Sequence, residues 1–124
     1  MGAPYILLVE DSALVSDAMR VLFEETGHRV TVAASAESAI EAATAERPDV
    51  MLLDLGLPDA DGLTVLETLT ARGVALPKRT VALTGDNADE TIRRCKAAGC
   101  SEVLLKPVPI AVLLTKIRDW GNGE

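Results

Sequence analysis

The sequence predicts an α/β fold, a doubly wound five-stranded parallel sheet with five helices. Three observations carry this. Short apolar runs recur five times. Helical apolar spacing fills the intervals between them. Glycine or proline punctuates the ends of several of those intervals. Regular alternation of strand and helix implies parallel strands, right-handed crossovers and helices on both faces of the sheet.

The first strand is Tyr5–Val9, and it is apolar throughout, as a strand covered on both faces must be. A helix follows over Ala13–Glu25, where Leu14, Ala18 and Leu22 recur at i, i+4 with Val15 and Met19 beside them. Gly27 suits its C-terminal cap. The second strand is Val30–Ala33. Residues 35 to 46 are rich in Ala and Glu, both good helix formers, and Pro48 stops that helix. The third strand, Val50–Leu53, is again wholly apolar. Leu66 and Leu69 mark a helix over Leu63–Arg72, ended by Gly73. Thr80–Leu83 is the fourth strand. Asn87 and Glu90 have the spacing of a capping box for a helix that ends at Gly99. Glu102–Leu105 is the fifth strand, and Ile110, Leu113, Leu114 and Ile117 fall at i, i+3, i+4, i+7 on the last helix.

The expected organisation is one domain over residues 1–124, of ordinary size and without linker, repeat or low-complexity segment. Only a few residues follow the fifth helix, so a second domain is not expected within this sequence. Hydrophobic residues make up 48% of the chain but only three are aromatic, so the core is expected to be Leu, Val, Ile and Ala. No apolar run approaches the roughly 20 residues of a bilayer span. Tyr5–Val9 is too short for the apolar segment of a signal peptide, and no basic stretch precedes it. The net charge of −7 argues against direct nucleic-acid binding, which needs a basic surface. With one histidine in the chain, Cys95 and Cys100 make a poor zinc site and read as small apolar residues of a reducing cytoplasm.

Ligands of open α/β sheets bind at the carboxyl ends of the strands. The first strand here ends in Glu10-Asp11, the third in Asp54, the fourth in Thr84-Gly85-Asp86 and the fifth in Lys106-Pro107. The second ends blandly in Ala33-Ala34. Three clustered carboxylates repel one another unless a hard divalent cation joins them. Mg²⁺ accepts a few carboxylate oxygens, keeps several waters and bridges to phosphate. Three acids, one lysine and one divalent cation sum to zero formal charge, a site ready for a dianionic phosphoryl group. Lys106 and the Thr84 hydroxyl can donate to phosphate oxygens. A carboxylate can itself be the nucleophile and become an aspartyl phosphate, because phosphoryl transfer asks mainly for positioning and charge neutralisation.

The stretches "LLVEDS", "MLLDLGLPDADG", "ALTG" and "LLKPV" resemble the receiver domains of two-component response regulators, over essentially the whole length. The resemblance implies the flavodoxin-like strand order 2-1-3-4-5, that of the chemotaxis receiver. It implies Asp54 as phosphoacceptor, Glu10 and Asp11 as Mg²⁺ ligands with Asp54 and the Gly56 carbonyl, Thr84 as the switch hydroxyl, and Lys106 as the phosphate contact. It further implies a cis bond before Pro107 and a loop shaped by Pro58 and Gly62. A histidine kinase or histidine phosphotransfer protein is then the phosphodonor, docking near the first helix and the loop after the fifth strand, with Leu14, Val15 and Pro107 as candidates. The surface of the fourth helix, fifth strand and fifth helix carries output and allows a phosphorylation-dependent homodimer. Such a domain catalyses its own phosphorylation and dephosphorylation without being a metabolic enzyme. The chain departs from the family pattern at Val103, where an aromatic switch residue is usual, and at Gly85, where Ala is more common. Asp86 is expected to affect attack by water on phosphorylated Asp54.

Other readings are weaker. A phosphatase of the haloacid dehalogenase type needs a second Asp two residues after the nucleophile, where this chain has Gly56. Neither Gly-x-Gly-x-x-Gly nor a Gly-Lys-Ser/Thr phosphate loop is present. A receiver-fold interaction module that takes no phosphoryl group is opposed by the intact acids, Thr84 and Lys106. An EF-hand reading of Asp59 and Asp61 would need an acid at Leu57 and a Glu at Thr68, so both are read as turn residues. His28 is read as an exposed loop residue, Arg93, Arg94 and Lys96 as a solvated face, and Trp120 as packing.

Overall fold

In the computed structural model, which describes residues 3–86 and 88–122, strands and helices alternate throughout. They are β1 (Ile6–Val9), α1 (Ala13–Glu25), β2 (Val30–Ala33), α2 (Ala36–Ala45), β3 (Val50–Asp54), α3 (Leu63–Ala71), β4 (Arg79–Thr84), α4 (Asp89–Ala98), β5 (Glu102–Leu105) and α5 (Ile110–Gly121). All strand pairs are parallel, in the order β2-β1-β3-β4-β5. The chain therefore reverses direction across the sheet between β1 and β3, where a crevice opens at the carboxyl ends. No helix among the described residues is long and apolar enough to cross a membrane.

The period-two geometry of a strand explains why the central strands are apolar throughout. Leu7, Val9, Met51, Leu53 and Ala82 point to one face, against the alanines of α2, the leucines of α3 and Cys95 of α4. Ile6, Leu8, Val50, Leu52, Val81 and Leu83 point to the other, against Phe23 of α1 and Leu113 and Ile117 of α5. The helices end as expected at Gly27 (φ 92°) and Gly99 (φ 113°), both in the left-handed region that glycine adopts without a Cβ penalty. Ser35 caps α2 reciprocally with Ser38. Asn87, expected to cap α4, lies outside the described residues.

One expectation is corrected. His28 is buried, 8% exposed, with its ring edge-on to Phe23 and Nδ1 2.9 Å from the Pro4 carbonyl. A carbonyl only accepts, so Nδ1 carries the proton. The turn before β2 folds under the end of α1, which a reading of local sequence does not reveal. The Leu14–Ala18–Leu22 stripe that marks α1 as a helix does not face the sheet. Ser16 and Phe23 are the buried residues of α1, and Leu14 is 84% exposed. Cys95 and Cys100 are buried free thiols, and burial pushes Cys100 up to about 12, in keeping with inert packing residues. Trp120 packs against the α1–α5 side of the core, with the Arg79 guanidinium 5.4 Å from its ring centre.

Candidate functional site

Strand register sets the site. Val9 pairs with Leu53, so Glu10 and Asp54 emerge side by side from β1 and β3. Asp54 pairs with Leu83 and Thr84 with Leu105, so Thr84 and Lys106 emerge one step further along. Glu10, Asp54 and Thr84 are 7%, 5% and 7% exposed. Asp11, one residue past Glu10, is exposed. The five side chains singled out from separate parts of the sequence thus meet at one edge, and β2 adds nothing to it.

Asp54 is held at both oxygens. Oδ1 accepts the Gly56 N–H at 2.9 Å, and Oδ2 pairs with Lys106 Nζ at 3.0 Å. Carboxylate oxygens of Glu10, Asp11 and Asp54 lie within 4.8 Å of one another and could hold a metal ion. Burial pushes the Glu10 carboxyl up, and the Asp54 charge adds to this against the opposing Ser12 N–H, which donates to Oε2 at 3.0 Å. An all-oxygen donor set with this electrostatic strain suits a small, hard cation. The Lys106–Pro107 bond is cis.

The Thr84 hydroxyl is engaged by its own turn, accepting the Asp86 N–H at 3.0 Å and donating to the Asp86 carbonyl at 3.2 Å. The Asp86 carboxylate turns the other way, accepting from the Ala88 N–H at 2.9 Å and the Thr91 hydroxyl at 3.0 Å. Val103 packs against the core on the side of α2, α3 and α4. A Cβ placed on Gly85 meets nothing within 4 Å.

Some residues of the site neighbourhood were not legible in sequence. Asp61 does serve its turn, accepting the Leu63 N–H at 2.9 Å, but it also pairs with Arg94 of α4 at 3.1 Å. Asp59 reaches α2, accepting from the Ala36 and Glu37 N–H groups at 2.8 and 3.1 Å. An Asp in a turn gives no sign of a partner over 20 residues away.

Residues 6–118 match the response regulator receiver domain family. This chain belongs to that family. The receiver is 33% identical over 113 residues to the probable transcriptional regulatory protein TcrX of Mycobacterium tuberculosis, covering 91% of this chain and 47% of that protein. The chain spans about half the length of the curated relatives it matches. Among solved structures, the receiver is similar to the BeF3-activated N-terminal receiver domain of Klebsiella pneumoniae RstA, with TM-score 0.79, 32% identity and 92% and 95% of the two chains covered. It is also similar to the receiver domain of a Pseudomonas aeruginosa sensor histidine kinase, solved with a magnesium ion coordinated in the active site cleft (TM-score 0.81, 28% identity, 97% and 98% covered).

Proposed function

We propose that the receiver, read as a single domain over residues 1–124, is a phosphoryl-accepting signalling switch. It takes its phosphoryl group from a histidine kinase or histidine phosphotransfer protein onto Asp54, changes a protein-interaction surface, and then removes the group by hydrolysis. One observation carries this reading: the buried Asp54 carboxylate sits between Lys106 Nζ at 3.0 Å and the acidic pair Glu10 and Asp11. Carboxylates so close, with all-oxygen donors, fit Mg²⁺. Glu10, Asp11, Asp54 and the Gly56 carbonyl would hold it, and when bound it neutralises the acids and draws the phosphoryl oxygens into the cleft.

Asp54 acts as the nucleophile. Its oxygen forms the new P–O bond while the P–N bond to the donor histidine breaks and the histidine leaves. Lys106 releases its pairing with Asp54 to hold a phosphoryl oxygen as a point charge. Thr84 exchanges its bonds to Asp86 for one to the phosphoryl group. Hydrolysis returns inorganic phosphate and the free carboxylate. The donor docks on the exposed Leu14 and Val15 of α1 and on Pro107, beside an apolar groove of about 490 Å³ that runs from Val15 and Met19 to Val108 and Leu113. Output leaves through α4, β5 and α5, the surface on which a phosphorylated homodimer would form. The setting is cytoplasmic.

Intact-mass measurement after incubation with acetyl phosphate and Mg²⁺ tests the reading. One phosphoryl adduct is expected on the wild type and none on Asp54→Asn. An adduct that persists in the variant removes Asp54 from the role. Absence of any adduct favours the interaction module that takes no phosphoryl group.

A further inference from the structure

Asp59 does more than shape its turn, because it makes the long-range tie to α2. The first turn of a helix leaves N–H groups without partners. In α2, the Ser35 hydroxyl takes the Ser38 N–H at 3.1 Å, which leaves those of Ala36 and Glu37. Both are taken by the two oxygens of Asp59, from a loop 23 residues further on. An anion at a helix N-terminus is favoured by the aligned peptide dipoles. Accordingly, the Ala36 N–H holds the Asp59 carboxyl below the usual carboxylate range.

That loop belongs to the phosphoacceptor. It leaves β3 at Asp54 and returns on itself, with the Gly62 N–H donating to the Leu55 carbonyl at 2.9 Å and Gly56 bridged to Asp61 across the loop. Asp59 lies two residues from that bridge. The Gly56 N–H in turn fixes Asp54 Oδ1. A mechanical path therefore runs from α2 through Asp59 and the Gly56–Asp61 bridge to the Asp54 carboxylate and the Gly56 carbonyl.

We infer that Asp59 is a positioning residue for the metal loop: by strapping residues 55–62 to the N-terminus of α2, it holds Asp54 and the Gly56 carbonyl where a divalent cation can take both. This rests on the reading of Glu10, Asp11, Asp54 and Gly56 as a Mg²⁺ site. Partners behind the first ligands of a metal commonly change its affinity 10–100-fold when removed.

Calorimetric titration of the full chain with Mg²⁺ is the test, with melting temperatures recorded without metal. The wild type is expected to bind one Mg²⁺ saturably. Asp59→Ala should bind about tenfold more weakly. Asp59→Asn, which keeps one acceptor oxygen, should fall between the two. A lower melting temperature with wild-type Mg²⁺ affinity would make Asp59 a helix cap only and overturn the inference. Should Asp59→Ala not fold, wild-type affinity in Asp59→Asn overturns it equally. If the wild type binds no Mg²⁺, the metal-site reading itself fails and the inference falls with it.

Discussion

Gly62, packed on the Asp54 backbone, and Gly85, which directly follows Thr84, respond differently to an added methyl group. A Cβ on Gly62 would lie 2.5 Å from the Asp54 carbonyl oxygen and 2.8 Å from Leu55 Cα, backbone atoms that cannot step aside. Gly62→Ala is expected to cost about 1–3 kcal/mol of stability, as overpacking does, and to slow phosphorylation by displacing Asp54. A Cβ on Gly85 meets nothing within 4 Å, and Gly85 is not among the glycines at positive φ. Gly85→Ala should therefore be neutral or stabilising by up to about 1 kcal/mol, through a less flexible unfolded chain. Urea unfolding of both variants checks the pair, and equal destabilisation would contradict it. Asp86 is a second residue with a testable role. Its backbone holds the Thr84 hydroxyl and its carboxylate holds the first turn of α4. Asp86→Ala should loosen that turn and speed loss of the phosphoryl group from Asp54. An unchanged dephosphorylation rate would show that the side chain has no part in it.

Among the elements, α1 has one buried face and one exposed face. Phe23 is fully buried against the sheet, the one aromatic at the centre of that side of the core. Phe23→Ala should cost about 3–5 kcal/mol, read as a lowered unfolding midpoint. Leu14 carries no such load, at 84% exposure. Leu14→Glu should leave stability within about 0.5 kcal/mol of the wild type. It should leave labelling by acetyl phosphate intact while slowing transfer from a histidine phosphodonor several-fold. Equal loss with both donors would mean that Leu14 serves the site and not docking. The loop between β3 and α3 is likewise more than a connection. Asp59 ties it to α2 and Asp61 to Arg94 of α4, so the helices on one face of the sheet share the loop that follows Asp54.

Across the whole molecule, several carboxylates are held below the usual range: Asp49 by the Tyr5 N–H, Asp59 by the Ala36 N–H, Asp86 by the Ala88 N–H and Glu46 by Arg29. In each the folded pKa lies below the unfolded one, so the unfolded chain binds more protons in acid. Their contribution is complete above the ordinary carboxylate pKa of about 4 and is lost as pH falls through the depressed values. Thermal melts should fall as pH drops below about 4. A profile level down to pH 3 would contradict this.

The sequence by itself determined the alternation of elements, the parallel sheet and the group of residues at its carboxyl edge. Each rests on a local signal: apolar runs for strands, glycine or proline at helix ends, and Glu10, Asp11, Asp54, Thr84 and Lys106 directly after their strands. Tertiary structure decided what depends on contacts between distant segments. It buried His28 beneath Phe23, turned the Leu14 stripe away from the sheet, and gave Asp59 and Asp61 partners on α2 and α4. Spacing along the chain fixes which residues share a face of a helix, but only the packed neighbours fix which face is inside. Likewise a turn aspartate has local partners within reach in any sequence, and only the fold brings a helix N-terminus to it.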